Sequence, residues 1–128
     1  MDASDLDQFI EDNQSSFTQK SMAKSLNQLF LKKDITKSAL AKRANISEVY
    51  LHQVFAGQRN LSRNRLLCLC FGLSATLDEA QKLLKQCGFA QLYPRHKRDA
   101  VIIYGLSHAM ELHQVNDALF TKDEEPLF

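Results

Sequence analysis

Thr36-Lys37-Ser38-Ala39-Leu40-Ala41-Lys42-Arg43-Ala44-Asn45-Ile46-Ser47-Glu48-Val49-Tyr50-Leu51-His52-Gln53-Val54 decides the fold of this chain. The stretch reads as two short helices joined by a tight turn. Leu40, Ala44, Ile46, Leu51 and Val54 fall at the spacings that supply both inner faces, and Ala41 is small where two helix axes must approach. Thr36 and Ser47 are placed as N-caps, because a hydroxyl there accepts from the unsatisfied N–H groups of a first turn. Asn45 tolerates the left-handed backbone that a sharp turn requires. Such a pair is how a helix is delivered into a DNA major groove, and it leaves the outer positions of its second helix free to meet a partner.

Working outward, two prolines and four glycines interrupt a pattern of mostly helical period, which predicts an all-α fold. Upstream, Met22, Leu26, Leu29 and Phe30 mark the buried stripe of a helix beginning near Ser21, with Lys32 and Lys33 at its C-terminal end. Before it, residues 1–19 are acidic and Gln/Ser-rich. They read as a weakly ordered segment in which Leu6, Phe9 and Ile10 form at most a short amphipathic turn. Downstream, the helix opened by Ser47 should end near Gly57, and Ser62 should cap a fourth whose core side carries Leu66, Leu67, Cys70 and Leu73. Thr76-Leu77-Asp78-Glu79 is a capping box, and its helix should stop at Cys87-Gly88. The run Ala100-Val101-Ile102-Ile103-Tyr104 is rich in β-branched residues, but a lone strand has no partner here. Helix is the reading, with Asp99 as N-cap and His108 as its limit. A last helix from Glu111 to Phe120 should bury Leu112, Val115 and Leu119, and Asp123-Glu124-Glu125-Pro126 should end the ordered chain.

A chain of 128 residues, 45% hydrophobic, can bury one core and is too short for two. The expected division is an acidic segment 1–19, a helix-turn-helix domain 20–90, and a helical extension 91–128 packed on it. No apolar run approaches the ~20 residues of a membrane helix, and Met1–Asp5 lacks the regions of a signal peptide, so a cytoplasmic location is expected. Three cysteines, Cys68, Cys70 and Cys87, lack metal-type spacing and read as reduced core residues. The Asn45, Asn60 and Asn13 sequons matter only in secreted chains.

The net charge of +1 conceals three blocks. Residues 1–19 hold five acids and no Lys or Arg, residues 20–98 hold 15 Lys or Arg against four acids (net +11), and residues 99–128 hold one Lys against six acids (net −5). Positive charge gathered around the candidate motif suits a polyanionic partner, since neutralising phosphates releases condensed counterions. The plainer reading is a solvated basic face. The acidic ends invite folding back onto the basic centre, although an untethered solvated tail is the commoner arrangement.

With Leu51 and Val54 turned inward, Ser47, Glu48, Val49, His52 and Gln53 face out as candidate base contacts. Gln53 can pair with adenine, Glu48 can accept from cytosine, Val49 can touch a thymine methyl, and His52 can donate to guanine or a phosphate. Glu48 requires a base or a neighbouring cation to offset its repulsion from phosphates, and it can act against wrong sequences. Lys37, Arg59, Asn60 and Arg63 flank the helix where phosphates would pass. Lys42 and Arg43 suit that role or plain solvation, and Arg95-His96-Lys97-Arg98 is either a second phosphate patch or a polar loop.

These residues carry a resemblance. Thr36-Lys37-xx-Leu40-Ala41, Ile46-Ser47 and Gly57-Gln58-Arg59 resemble the opening, turn and basic loop of the phage-repressor, Cro-type (Xre-type) helix-turn-helix family, over roughly residues 21–87. The resemblance implies a lambda-repressor-like five-helix domain that binds double-stranded operator DNA as a homodimer, with two C-terminal helices added. The family commonly has Gln where Lys37 stands and an acid where Phe55 stands, so Phe55 is expected to pack on Tyr50 or on the following helix. The resulting expectation is a sequence-specific transcriptional regulator without cofactor or metal. The competing one is a protein-interaction module, an antitoxin or adaptor on the same scaffold, to which Glu48 and Phe55 lend weight. An enzyme is disfavoured: Cys87 with His96 or His108 is the only pairing on paper, and no phosphate loop or nucleophile motif is present.

Overall fold

Local capping chemistry sets most of the helix boundaries. A computed structural model of the protein describes the backbone of residues 3–128 and, of their side chains, residues 5–7 and 19–128. Among the described residues there are seven helices and no strand: α1 (Ala3–Leu31), α2 (Lys37–Arg43), α3 (Glu48–Phe55), α4 (Arg63–Gly72), α5 (Leu77–Gln86), α6 (Lys97–Ser107) and α7 (Leu112–Thr121). The hydroxyls of Thr36, Ser47, Ser62 and Thr76 each accept from the N–H three residues on, over 3.1–3.2 Å. Glu79 completes the box by accepting from the Thr76 N–H at 2.9 Å.

Helix ends follow an equally local rule. Asn45, Ser74, Ala109 and Asp123 take positive φ, as Gly57 and Gly88 do. The next N–H then reaches back to close the last turn, for example Ile46 to the Ala41 carbonyl and Ala75 to that of Cys70. The turn between α2 and α3 is thereby only four residues long.

The core is continuous from Met22 to Leu127. α2 packs on both α3 and α4, α1 backs α3 and α5, and α6 and α7 pair with each other and close on α5 and α4 respectively. Two glycines permit the closest approaches. A Cβ at Gly72 would lie 2.8 Å from Leu40 Cδ1, and one at Gly105 would collide with Val115 Cγ2. Polar ties reinforce the seams: Lys33 Nζ donates to Glu79 Oε1 at 2.8 Å, and the Gln81 side-chain amide pairs with both backbone groups of Leu92. The Lys33 hydrogen bond, aided by the Thr76 N–H, holds the Glu79 carboxyl below the usual carboxylate range.

Four expectations are corrected. α1 begins at Ala3 rather than near Ser21, since no Gly or Pro lies between to stop it; Leu6 is exposed, while the side chains of Phe9 and Ile10 lie outside the described residues. Asp99 is not the N-cap of α6: His96 holds that position, and Asp99 sits buried at the third helical residue. From there its Oδ2 accepts from the Tyr93 N–H at 3.0 Å and faces Arg63 at 3.5 Å. Phe55 meets Phe30 of α1 edge-on at 5.2 Å rather than Tyr50, because α1 covers that end of α3. Finally, the acidic tail is tethered. Leu127 is buried, its N–H donates to Asn116 Oδ1 at 2.6 Å, and Arg98 donates to the carbonyls of Glu125 and Pro126.

Candidate functional site

α3 is amphipathic over only two turns, and its two sides differ sharply. Leu51, Val54 and Phe55 are buried, and Asn27 of α1 donates to the Phe55 carbonyl at 3.1 Å, which fixes the C-terminal end of the helix. On the other side Ser47, Glu48, Val49 and His52 are exposed and Gln53 is half-buried, so all five candidate base contacts share one outward surface. Val49 is 70% exposed, an unusual position for a β-branched aliphatic side chain on a helix. Glu48 does have a neighbouring cation partner when His52 is protonated: the two lie 3.7 Å apart one turn from each other.

The flanks are basic. Lys37 Nζ stands 5.3 Å above the Phe55 ring, at one end of α3. On the opposite flank the Tyr50 ring has Arg59 at 5.2 Å and Arg65 at 4.5 Å, and its hydroxyl donates to the Asn60 carbonyl at 2.9 Å. One aromatic ring thus fixes the loop after α3 and gathers two guanidinium groups; such cation–ring contacts contribute about 0.5–1 kcal/mol at exposed sites. Asn60 itself is exposed.

Arg63 does not join this flank. Its Nε donates to the Ala90 carbonyl at 2.9 Å and its Nη2 lies 3.5 Å from Asp99, so the guanidinium clasps the α5–α6 loop. Arg65 takes the outward place. Helical period does not separate the two, since Cys68, Leu69 and Gly72 on the side of Arg65 are as buried as Leu66, Leu67 and Cys70 on that of Arg63; their tertiary partners do, Ala90 and Asp99 for Arg63 and the Tyr50 ring for Arg65. Lys42 and Arg43 are exposed at the end of α2, lining a groove with the α6–α7 turn. Within Arg95 to Arg98, Lys97 donates to the Lys122 carbonyl at 2.8 Å and Arg98 holds the tail and Asn64, so these two cations are structural clasps.

The cysteines offer no activated thiol. Burial pushes Cys70 up to about 12 and Cys68 and Cys87 to about 11, which keeps all three protonated near neutrality. His96 contacts Tyr93 and Asp99, and His108 stacks on Tyr104; neither bonds Cys87. Among the described residues there is no group of three metal-ligating side chains, and no helix is long and apolar enough to cross a membrane. No protein-family model, curated protein or solved structure matches the chain.

Proposed function

We propose that the protein is a sequence-specific DNA-binding regulator of the lambda-repressor-like helix-turn-helix kind, with α3 entering the major groove of double-stranded DNA. One observation carries the reading. α3 is held rigidly by its buried face while its opposite face, Ser47, Glu48, Val49, His52 and Gln53, is open between Lys37 on one flank and Arg59 and Arg65 on the other. Side chains able to contact base edges are thereby accompanied by cations able to meet phosphates. A homodimer would repeat α3 one helical turn of DNA away, on one face of a two-fold operator.

Selection of bound fragments from a random DNA pool, followed by a salt titration on the winner, tests the reading. A common motif is expected, with affinity falling steeply as salt rises and the slope reduced by about one for each of Arg59→Ala and Lys37→Ala. Failure of the folded protein to retain any DNA from the pool refutes it. The second reading, a protein-interaction module, is favoured by the exposed Val49 and the Glu48–His52 pair, since an apolar contact and a carboxylate suit a protein surface better than a phosphate strand.

A further inference from the structure

The segment after α7, Lys122–Phe128, carries three carboxylates and is held by an unusual kind of bond. Beyond the backbone bonds that close α7, side chains of the folded body grip the backbone of the segment: Lys97 donates to the Lys122 carbonyl, Arg98 to those of Glu125 and Pro126, and Asn116 accepts from the Leu127 N–H and donates to the Phe128 carbonyl. Leu127 is buried in the core cluster. Among the described residues no ion pair uses Asp123, Glu124 or Glu125, so the acids contribute nothing to the docking.

The path of this strap matters. Arg98, which holds Glu125, also donates to Asn64, the neighbour of Arg65 on α4. Leu127 and Phe128 then line a groove of about 720 Å³ together with Ser47, Val49, Tyr50, Gln53, Arg59 and Arg65. Three residues of extended chain span at most about 10 Å. Glu125 is therefore within about 10 Å of the edge of that groove formed by Leu127 and Phe128, about the Debye length at 0.1 M salt, where its charge is only partly screened. A fixed anionic segment beside a cation-flanked surface lowers the local potential that draws in a polyanion.

We infer that the Lys122–Phe128 strap is an electrostatic brake beside the α3 surface, holding its affinity for DNA below what Arg59 and Arg65 would otherwise give. The inference rests on the DNA-binding reading. Its geometry also explains why the tethers avoid the carboxylates: the strap's charge can be altered without undocking it.

The test is the full chain carrying Asp123→Asn, Glu124→Gln and Glu125→Gln together, with Asn at 123 chosen because it accepts the positive φ there. Binding to a random-sequence duplex is measured by fluorescence anisotropy beside the unaltered protein and Arg59→Ala. The brake predicts an unchanged melting temperature and affinity raised on the order of threefold to tenfold at about 50 mM salt, the gain shrinking as salt rises. Asn116→Ala loosens the strap with no change of charge and should raise affinity in the same direction. If Arg59→Ala weakens binding while the neutralised strap leaves it equal or weaker, the brake is overturned and DNA binding stands. If neither the unaltered nor the neutralised protein binds any duplex, both inferences fall; binding by the neutralised protein alone supports both.

Discussion

α3 and α4 are neighbours of similar length, eight and ten residues, each opened by a serine cap, and α2 packs against both. Their surfaces are used in opposite ways. Every residue of α4 from Leu66 to Gly72 is buried, so beyond its first turn, Arg63 to Arg65, the helix is enclosed by its neighbours. α3 buries only Leu51, Val54 and Phe55, half-buries Tyr50 and Gln53, and leaves Glu48, Val49 and His52 to solvent. A helix apolar all round has no surface left to offer a partner. One buried on a single side keeps a free face, and under the proposed function the difference gives stability to the body of α4 and recognition to α3.

The largest test of this division falls on α4. Leu66 is fully buried, so Leu66→Ala should cost about 2–5 kcal/mol, the transfer term plus an unfilled cavity. Urea denaturation followed by circular dichroism measures it; a loss under 1 kcal/mol would mean that the α4 environment collapses freely and that its enclosure is not what holds the fold. The caps provide a control. Ser47→Ala and Ser62→Ala each remove one accepted bond of nearly equal length, 3.1 and 3.2 Å, and should each cost about 1 kcal/mol. Equal costs would show that the two helices begin alike and differ only in their faces, whereas a far larger cost at Ser47 would make α3 the weaker element.

These caps explain how much of the molecule was legible in the sequence. Thr36, Ser47, Ser62 and Thr76 act within three residues, and Asn45 and Gly57 within one turn, so the frame from α2 to α5 follows from local rules. The outward set on α3 followed from the period of Leu51 and Val54. What escaped depends on partners distant in sequence. Phe55 meets Phe30, Arg63 meets Ala90 and Asp99, and the strap meets Asn116 and Arg98. Arg65 was missed for the same reason, since the Tyr50 ring that holds it lies fifteen residues away on α3.

Charge also acts at a seam of the fold away from α3 and α4. The Glu79 carboxyl, held low by Lys33 where α1 meets α5, is an acid whose folded pKa lies under its unfolded one. Its contribution is therefore present at neutral pH and is lost as pH falls below the usual carboxylate range through the depressed folded value. With both side chains about a quarter exposed (22% and 27%), about 0.2–1 kcal/mol is expected. Glu79→Gln should flatten that part of the stability–pH curve, and an unchanged acid limb would show that the pair is screened out. Leu66→Ala, by comparison, should shift the whole curve down with its shape intact.

The smallest change in stability belongs to α3, and there the division is most exposed to failure. Val49 projects into solvent and the Gln53 side chain makes no hydrogen bond among the described residues, so Val49→Ala and Gln53→Ala should each change the unfolding free energy by no more than about 0.5 kcal/mol. Under the proposed function Gln53→Ala should nonetheless relax base preference at one position of the selected motif, by about 1–3 kcal/mol of discrimination. Arg59→Ala, acting on phosphate, should weaken all sequences alike. A Gln53→Ala protein that melts normally and keeps the parental motif would remove Gln53 from the interface. A variant that melts several degrees lower would instead show that the outer side of α3 contributes to stability as the buried side does, and the contrast with α4 would become one of degree.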